Sequence, residues 1–418
     1  MASVCPQENM ENKAVTVDVP QQDPLLTRQT VFALLRSCLW GQERYPFTVP
    51  EGMDWQAVYQ ELLYQCIACL PVDLLVREDP KNRNRYMYKA MTTAAFHRKV
   101  MTLQQTLIRR LTDAGIPCVI LKGAAAACYY PRPEYRAMGD VDLLVRPEDY
   151  EKALELLSTD CNVCGKEEDR VTKLEKDQVV IELHRQFAVF NDEQAGKTLD
   201  GWILGAFDGL TEKTLSGCTF PMLPERENGL VLLMHIQHHL VSGLGLRQIV
   251  DWMLYVHCQL DDRYYREVFE PMLEQLQLRT LAVTVTRMCQ MYLGLGQEIT
   301  WCREADEQLC EQLMNHLWES GNFGYKQGTR NSSTLVVLNV LRNVTGFFGW
   351  LQRYGCENWQ ALKKHPWLKP FAWFYQICRF VRKGFASKNP IRSLLQNVRK
   401  EKNLDQMMDR LEIPRKYK

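Results

Sequence analysis

Apolar residues recur at helical spacing through the first third of the chain, after which the period shortens. Val31, Leu34, Leu35 and Cys38 predict a helix over 30–39. Asp54 is placed to cap a second helix over 54–70, with Trp55, Val58, Leu62 and Leu63 on one face and Pro71 stopping it. A longer helical run fits 83–114 and breaks at Gly115-Ile116-Pro117. There the pattern changes to a short apolar strand at 119–121, a turn at Lys122-Gly123, alanines that suit a helix, and a second strand, Asp140-Val141-Asp142-Leu143-Leu144-Val145.

Further on, Arg146-Pro147-Glu148-Asp149 opens a helix with proline and acids in its first turn, and Tyr150, Ala153, Leu154 and Leu157 form its apolar stripe. Alternating segments at 171–174 and 179–183 predict an antiparallel hairpin whose second strand carries Val180, Glu182 and His184 on one face. From Glu225 helices return. One bears His235, His238 and His239 among Leu230, Leu233, Met234 and Ile236, and the next has Arg247 and Asp251 four apart.

The strand at 140–145 carries the chemistry. In extended backbone Asp140 and Asp142 point to one face, with Cα atoms about 6.6 Å apart at a rise of roughly 3.3 Å per residue. Unpaired carboxylates beside Leu143, Leu144 and Val145 are costly to bury, and a hard divalent cation would offset that cost. The plainer reading is an exposed strand start for the aspartates and an edge-strand acid for Glu182. His235 and His239 could share a zinc ion, although no third ligand is signalled. Arg247 and Asp251 read either as an intrahelical ion pair or as part of a helical domain reaching over the site.

Composition narrows the class. A chain of 418 residues with 46% hydrophobic and 24% charged residues suits two or three globular units. No apolar run reaches the roughly 18 residues of a membrane span. The first residues lack the basic start and apolar core of a secretory signal, so a cytoplasmic location is expected. Fifteen cysteines lie scattered in apolar segments and read as small buried hydrophobes; Cys66/Cys69 and Cys161/Cys164 lack the flanking pattern of a zinc ribbon. Residues 363–418 hold 15 Lys and Arg against 4 Asp and Glu, a charge of +11, leaving −10 on the rest of a chain whose net charge is +1. Within that basic end, the aromatic segment 366–385 suits either packing on the body or contact with a membrane interface.

The succession Leu-Lys-Gly, Tyr-Pro, Arg-x-Met-Gly-Asp-x-Asp-Leu-Leu-Val and Ile-Glu-Leu-His resembles stand-alone bacterial nucleotidyltransferases of the DNA-polymerase-β superfamily, over about 115–190. The resemblance implies an α+β fold with a small mixed β-sheet core at 115–224; residue patterns and composition add a helical region at 27–114, a helical domain at 225–350, a basic aromatic helical tail at 351–418 and a disordered start at 1–26. It implies transfer of a nucleoside monophosphate from an NTP to an unidentified acceptor (small molecule, protein or RNA), with Mg²⁺ or Mn²⁺ held by Asp140, Asp142 and Glu182. Lys122, Gly123, Ala124, Arg136 and His184 would then meet the nucleotide, Arg136 as a mobile loop cation near the leaving pyrophosphate. Two departures stand out: Ala124 replaces the usual serine or second glycine, and Gly123 lies 17 positions before Asp140. A nucleotide-binding regulatory or toxin–antitoxin-type protein with little turnover is the alternative.

Overall fold

The computed structural model describes residues 23–167, 170–187, 193–327, 365–385 and 403–413, with positions 352, 355, 356 and 359. Most of the expected disordered start and much of the basic tail fall outside these residues. The fold is α+β, and the chain divides into two compact units, Met1–Lys326 with Arg410–Lys418, and Gln327–Asp409.

In the first unit, Asp23 caps α1 (Pro24–Trp40) by accepting from Leu25 N at 2.9 Å. Asp54 caps α2 (Trp55–Tyr64) as expected, accepting from Gln56 N and Ala57 N. That helix stops before residue 70: Gln65 turns inward, donating to Glu61 and accepting from Leu246 N, and Cys66 takes a left-handed φ of 55°. After α3 (Val72–Glu78), α4 (Arg83–Asp113) matches the long helical run.

The sheet has seven strands in the order β3-β4-β5-β2-β1-β7-β6. They are β1 (Cys118–Leu121), β2 (Asp140–Val145), β3 (Asn162–Glu167), β4 (Val171–Lys176), β5 (Val179–His184), β6 (Thr211–Leu215) and β7 (Cys218–Met222). β2 pairs antiparallel with β1 and parallel with β5, so the sheet is mixed. The expected hairpin is β4–β5, closed by Asp177 and Gln178 at φ of 51° and 62°, which suits a two-residue turn with right-handed strand twist. β3 and β6 were invisible in the pattern because they are edge strands: both are largely polar, and β3 is bulged between Val163 and Gly165.

One face of the sheet is apolar. Ile120, Val141, Leu143, Val145, Ile181 and Leu183 pack with Leu107 and Leu111 of α4 and with Tyr150, Ala153 and Leu157 of α6 (Tyr150–Ser158). The two-residue period then forces Asp140, Asp142, Glu182 and His184 onto the opposite face. α5 (Gly123–Ala127) follows β1, and α7 (Glu193–Gly205) precedes β6. α8 (Glu225–Ser242) and α9 (Leu246–Gln259) pack together, and α12 (Arg279–Tyr292) and α13 (Glu307–Ser320) complete the helical part, with α10 (Asp262–Tyr264) and α11 (Glu270–Gln275) between.

In the second unit a 3₁₀ turn, Pro366–Phe371, leads into a helix, Ala372–Phe385. Tyr375 stacks on Trp359 at 4.8 Å, whereas Trp367, Phe371 and Phe374 are exposed. Among the described residues no helix is long and apolar enough to cross a membrane.

Candidate active site

Parallel pairing of β2 with β5 sets Asp142 beside Glu182 and Asp140 beside Val180, so acids two residues apart in one strand meet an acid forty residues later. Asp142, Glu182 and His184 each present a ligand-type atom within 4.8 Å of the others. Asp140 stands on the same face at the start of β2, half-buried and outside that close group. His184, expected only to touch nucleotide, therefore joins the acids: its Nε2 donates to Asp142 Oδ1 at 3.1 Å and lies 3.7 Å from Glu182 Oε2. A carboxylate only accepts, so the proton is on Nε2, and the buried Nδ1 has no hydrogen-bond partner.

Two lysines enter the cluster. Lys122 Nζ lies 2.6 Å from Asp142 Oδ1 and 5.9 Å from the centre of the Phe187 ring. Lys173 Nζ lies 3.0 Å from Glu182 Oε1, reaching across from β4. Lys173 was missed in the sequence, yet the hairpin contained it: a two-residue turn at 177–178 pairs Lys173 with Glu182.

The electrostatics follow from burial and these partners. Burial and the neighbouring Asp142 charge push the Asp140 carboxyl up to about 6. Burial also opposes ionisation of Asp142, but the Lys122 ammonium and the His184 hydrogen bond outweigh it and hold that carboxyl well below the usual range. For Lys122 burial disfavours the ammonium, and Asp142, Glu182 and Asp140 together overcome it and raise its pKa.

The turn before α5 is shaped by Lys122 and not by the glycine after it. The left-handed residue is Lys122, at φ 48° and ψ −115°, while a Cβ at Gly123 would make only ordinary contacts with Asp140 O and Met138 Sδ, at 3.8 and 3.9 Å. The protein's own packing thus does not require glycine at 123. Ala124 is buried in the core, so only its backbone can meet a ligand. The helix that follows, α5, is five residues long.

Arg136 is a correction. It is no mobile loop cation: at 2% exposure it forms a fork with Asp251, Nε to Oδ1 and Nη2 to Oδ2, both 2.7 Å, and Tyr130 donates to the same Oδ1 at 2.7 Å. Desolvation of a guanidinium this deep is offset by the bidentate carboxylate, which removes Arg136 from the residues able to swing to a nucleotide. The intrahelical Arg247–Asp251 pair is accordingly not made; Arg247 Nη1 donates to Ala137 O at 3.1 Å, just before the Gly139-Asp140 approach to β2. The His235 and His239 rings meet edge to face at 4.7 Å, but among the described residues the group of three or more potential metal ligands is Asp142, Glu182 and His184. The Cys66/Cys69 and Cys161/Cys164 thiols are likewise unbridged and outside any such group.

A model of the family described as uncharacterised nucleotidyltransferase matches residues 53–294, more than half of the chain. No curated protein matches it. Among solved structures, an antigenic nucleotidyltransferase-like protein from Paracoccidioides brasiliensis is 16% identical, with a TM-score of 0.30 over 47% of this chain and 92% of that one. Because the family match runs from the cap of α2 through α12 and takes in the whole acid cluster, the chain belongs to the uncharacterised nucleotidyltransferase family.

Proposed function

We propose that the protein is a cytoplasmic, metal-dependent nucleotidyltransferase of the DNA-polymerase-β type, which moves a nucleoside monophosphate from an NTP to an acceptor hydroxyl. In this reading the sheet region 115–224 is the catalytic core, flanked by helical regions. The observation that carries it is the β2–β5 register, which sets Asp142 against Glu182, with Asp140 on the same face and His184 in reach.

The donor set fits a divalent cation. Carboxylate oxygens suit Mg²⁺ or Mn²⁺, an imidazole adds affinity for Mn²⁺, and Asp142, Glu182 and His184 bring three ligand-type atoms within 4.8 Å of one another. Asp140, Asp142 and Glu182 would hold the ion, with His184 beside them. When bound, such an ion neutralises phosphate charge and polarises the acceptor hydroxyl. The chain's own contribution is positioning: Lys122 and the backbone of Gly123 and Ala124 receive the phosphates, and the absence of a side chain at 123 leaves room for close approach.

The purified chain, given α-labelled ATP, CTP, GTP or UTP with Mg²⁺ or Mn²⁺ and cell extract, is expected to label an acceptor. The Asp140→Ala/Asp142→Ala variant should lose at least about a hundredfold of that activity. Transfer that persists in the double variant would overturn these roles. The Lys122–Asp142 contact favours a second reading, nucleotide binding with little turnover, which saturable NTP binding without label transfer would establish. A peripheral membrane contact through 366–385 is proposed as well, on the exposed Trp367, Phe371 and Phe374.

A further inference from the structure

The acid cluster carries a cation of its own. Lys122 leaves β1 in a backbone conformation that a residue with a side chain rarely adopts, and this places its ammonium, 15% exposed, on Asp142. The oxygen it holds, Asp142 Oδ1, is the one that also accepts from His184. Lys173 is the cluster's second lysine and pairs with Glu182, not Asp142; Arg136 is held by Asp251, and Arg247 donates to Ala137 O. A divalent cation and an ammonium cannot both neutralise one carboxylate oxygen without repelling each other.

Resting on the nucleotidyltransferase reading, we infer that Lys122 is the resident counter-ion of Asp142 and competes with the divalent cation for it. Metal alone then binds weakly. It binds well once Lys122 is drawn to another anion, and the phosphates expected at the adjacent Gly123 turn supply one. The device couples metal loading to arrival of the triphosphate and keeps buried acids paired between turnovers.

The test uses the full chain, Mn²⁺ and no nucleotide. By calorimetry, Lys122→Met should bind Mn²⁺ about tenfold or more tightly than wild type, whereas Lys122→Arg, which keeps the charge, should not gain. As a check that needs no variant, Mg²⁺ added to wild type should increase acylation of Lys122 by an amine-reactive reagent, read by mass spectrometry. Unchanged or weaker Mn²⁺ binding by folded Lys122→Met, or acylation that Mg²⁺ leaves unchanged or lowers, overturns the inference. Asp142→Asn separates the two ideas: if it binds Mn²⁺ as tightly as wild type, the metal-dependent reading itself fails.

Discussion

Arg136 shows how a residue that looks functional in a loop becomes structural once its partner is known. Removing the guanidinium strands Asp251 in a buried site, so Arg136→Met should destabilise the protein by about 3–5 kcal/mol in denaturant unfolding. Replacing both, as Arg136→Met/Asp251→Leu, should recover a substantial part of the loss, because two apolar side chains leave no unpaired charge. His97 makes a pH-dependent contribution of the opposite kind. It is buried, its Nε2 lies 3.0 Å from Ser216 Oγ in the β6–β7 turn, and burial pushes its pKa below the ordinary 6.5. Below that pH the unfolded chain takes up a proton that the folded one refuses, so stability falls as pH drops. His97→Gln should flatten the unfolding free energy between about pH 6.5 and 5 relative to wild type, measured by denaturant titration.

Elements are held by close approaches that the hydrophobic pattern does not announce. Gly229 of α8 lies against Tyr255 of α9, where an added Cβ would come within 2.3 Å of the phenol. Gly229→Ala is therefore expected to cost about 1–3 kcal/mol despite its better helix propensity, and a stabilised variant would contradict this contact. The helix Ala372–Phe385 is the converse case: Ala372 and Gln376 are buried while Phe374, with Trp367 and Phe371 just before the helix, is exposed. If these rings meet a lipid interface, the full chain should float with anionic vesicles and Trp367→Ser/Phe371→Ser/Phe374→Ser should float much less. Equal flotation removes the membrane contact. A truncation near residue 364 would be a poor control, because it also removes residues buried in the first unit.

Those residues bring the end of the chain back at the scale of the whole molecule. Leu411 and Ile413 are buried, Arg410 pairs with Asp306 at the cap of α13 and donates to Gln312, and Glu412 accepts from Thr280 of α12. Leu411→Ala should destabilise the first unit by roughly 2–5 kcal/mol, read as a lower unfolding midpoint.

Periodicity and local chemistry alone determined the helix of 83–114, the Asp54 cap, the strand-turn-helix-strand around Lys122 and Gly123, and the shared face of Asp140 and Asp142. Each is decided within a few residues, by side-chain direction and backbone preference. The resemblance to nucleotidyltransferases likewise rested on short local motifs. Tertiary structure alone decided what those residues touch: His184 drawn to Asp142, Lys173 to Glu182, Lys122 into the acids, and Arg136 away from them to Asp251. A charged side chain settles on whichever opposite charge the fold buries beside it. That partner is set by strand order and helix packing across tens of residues, to which a local pattern is blind.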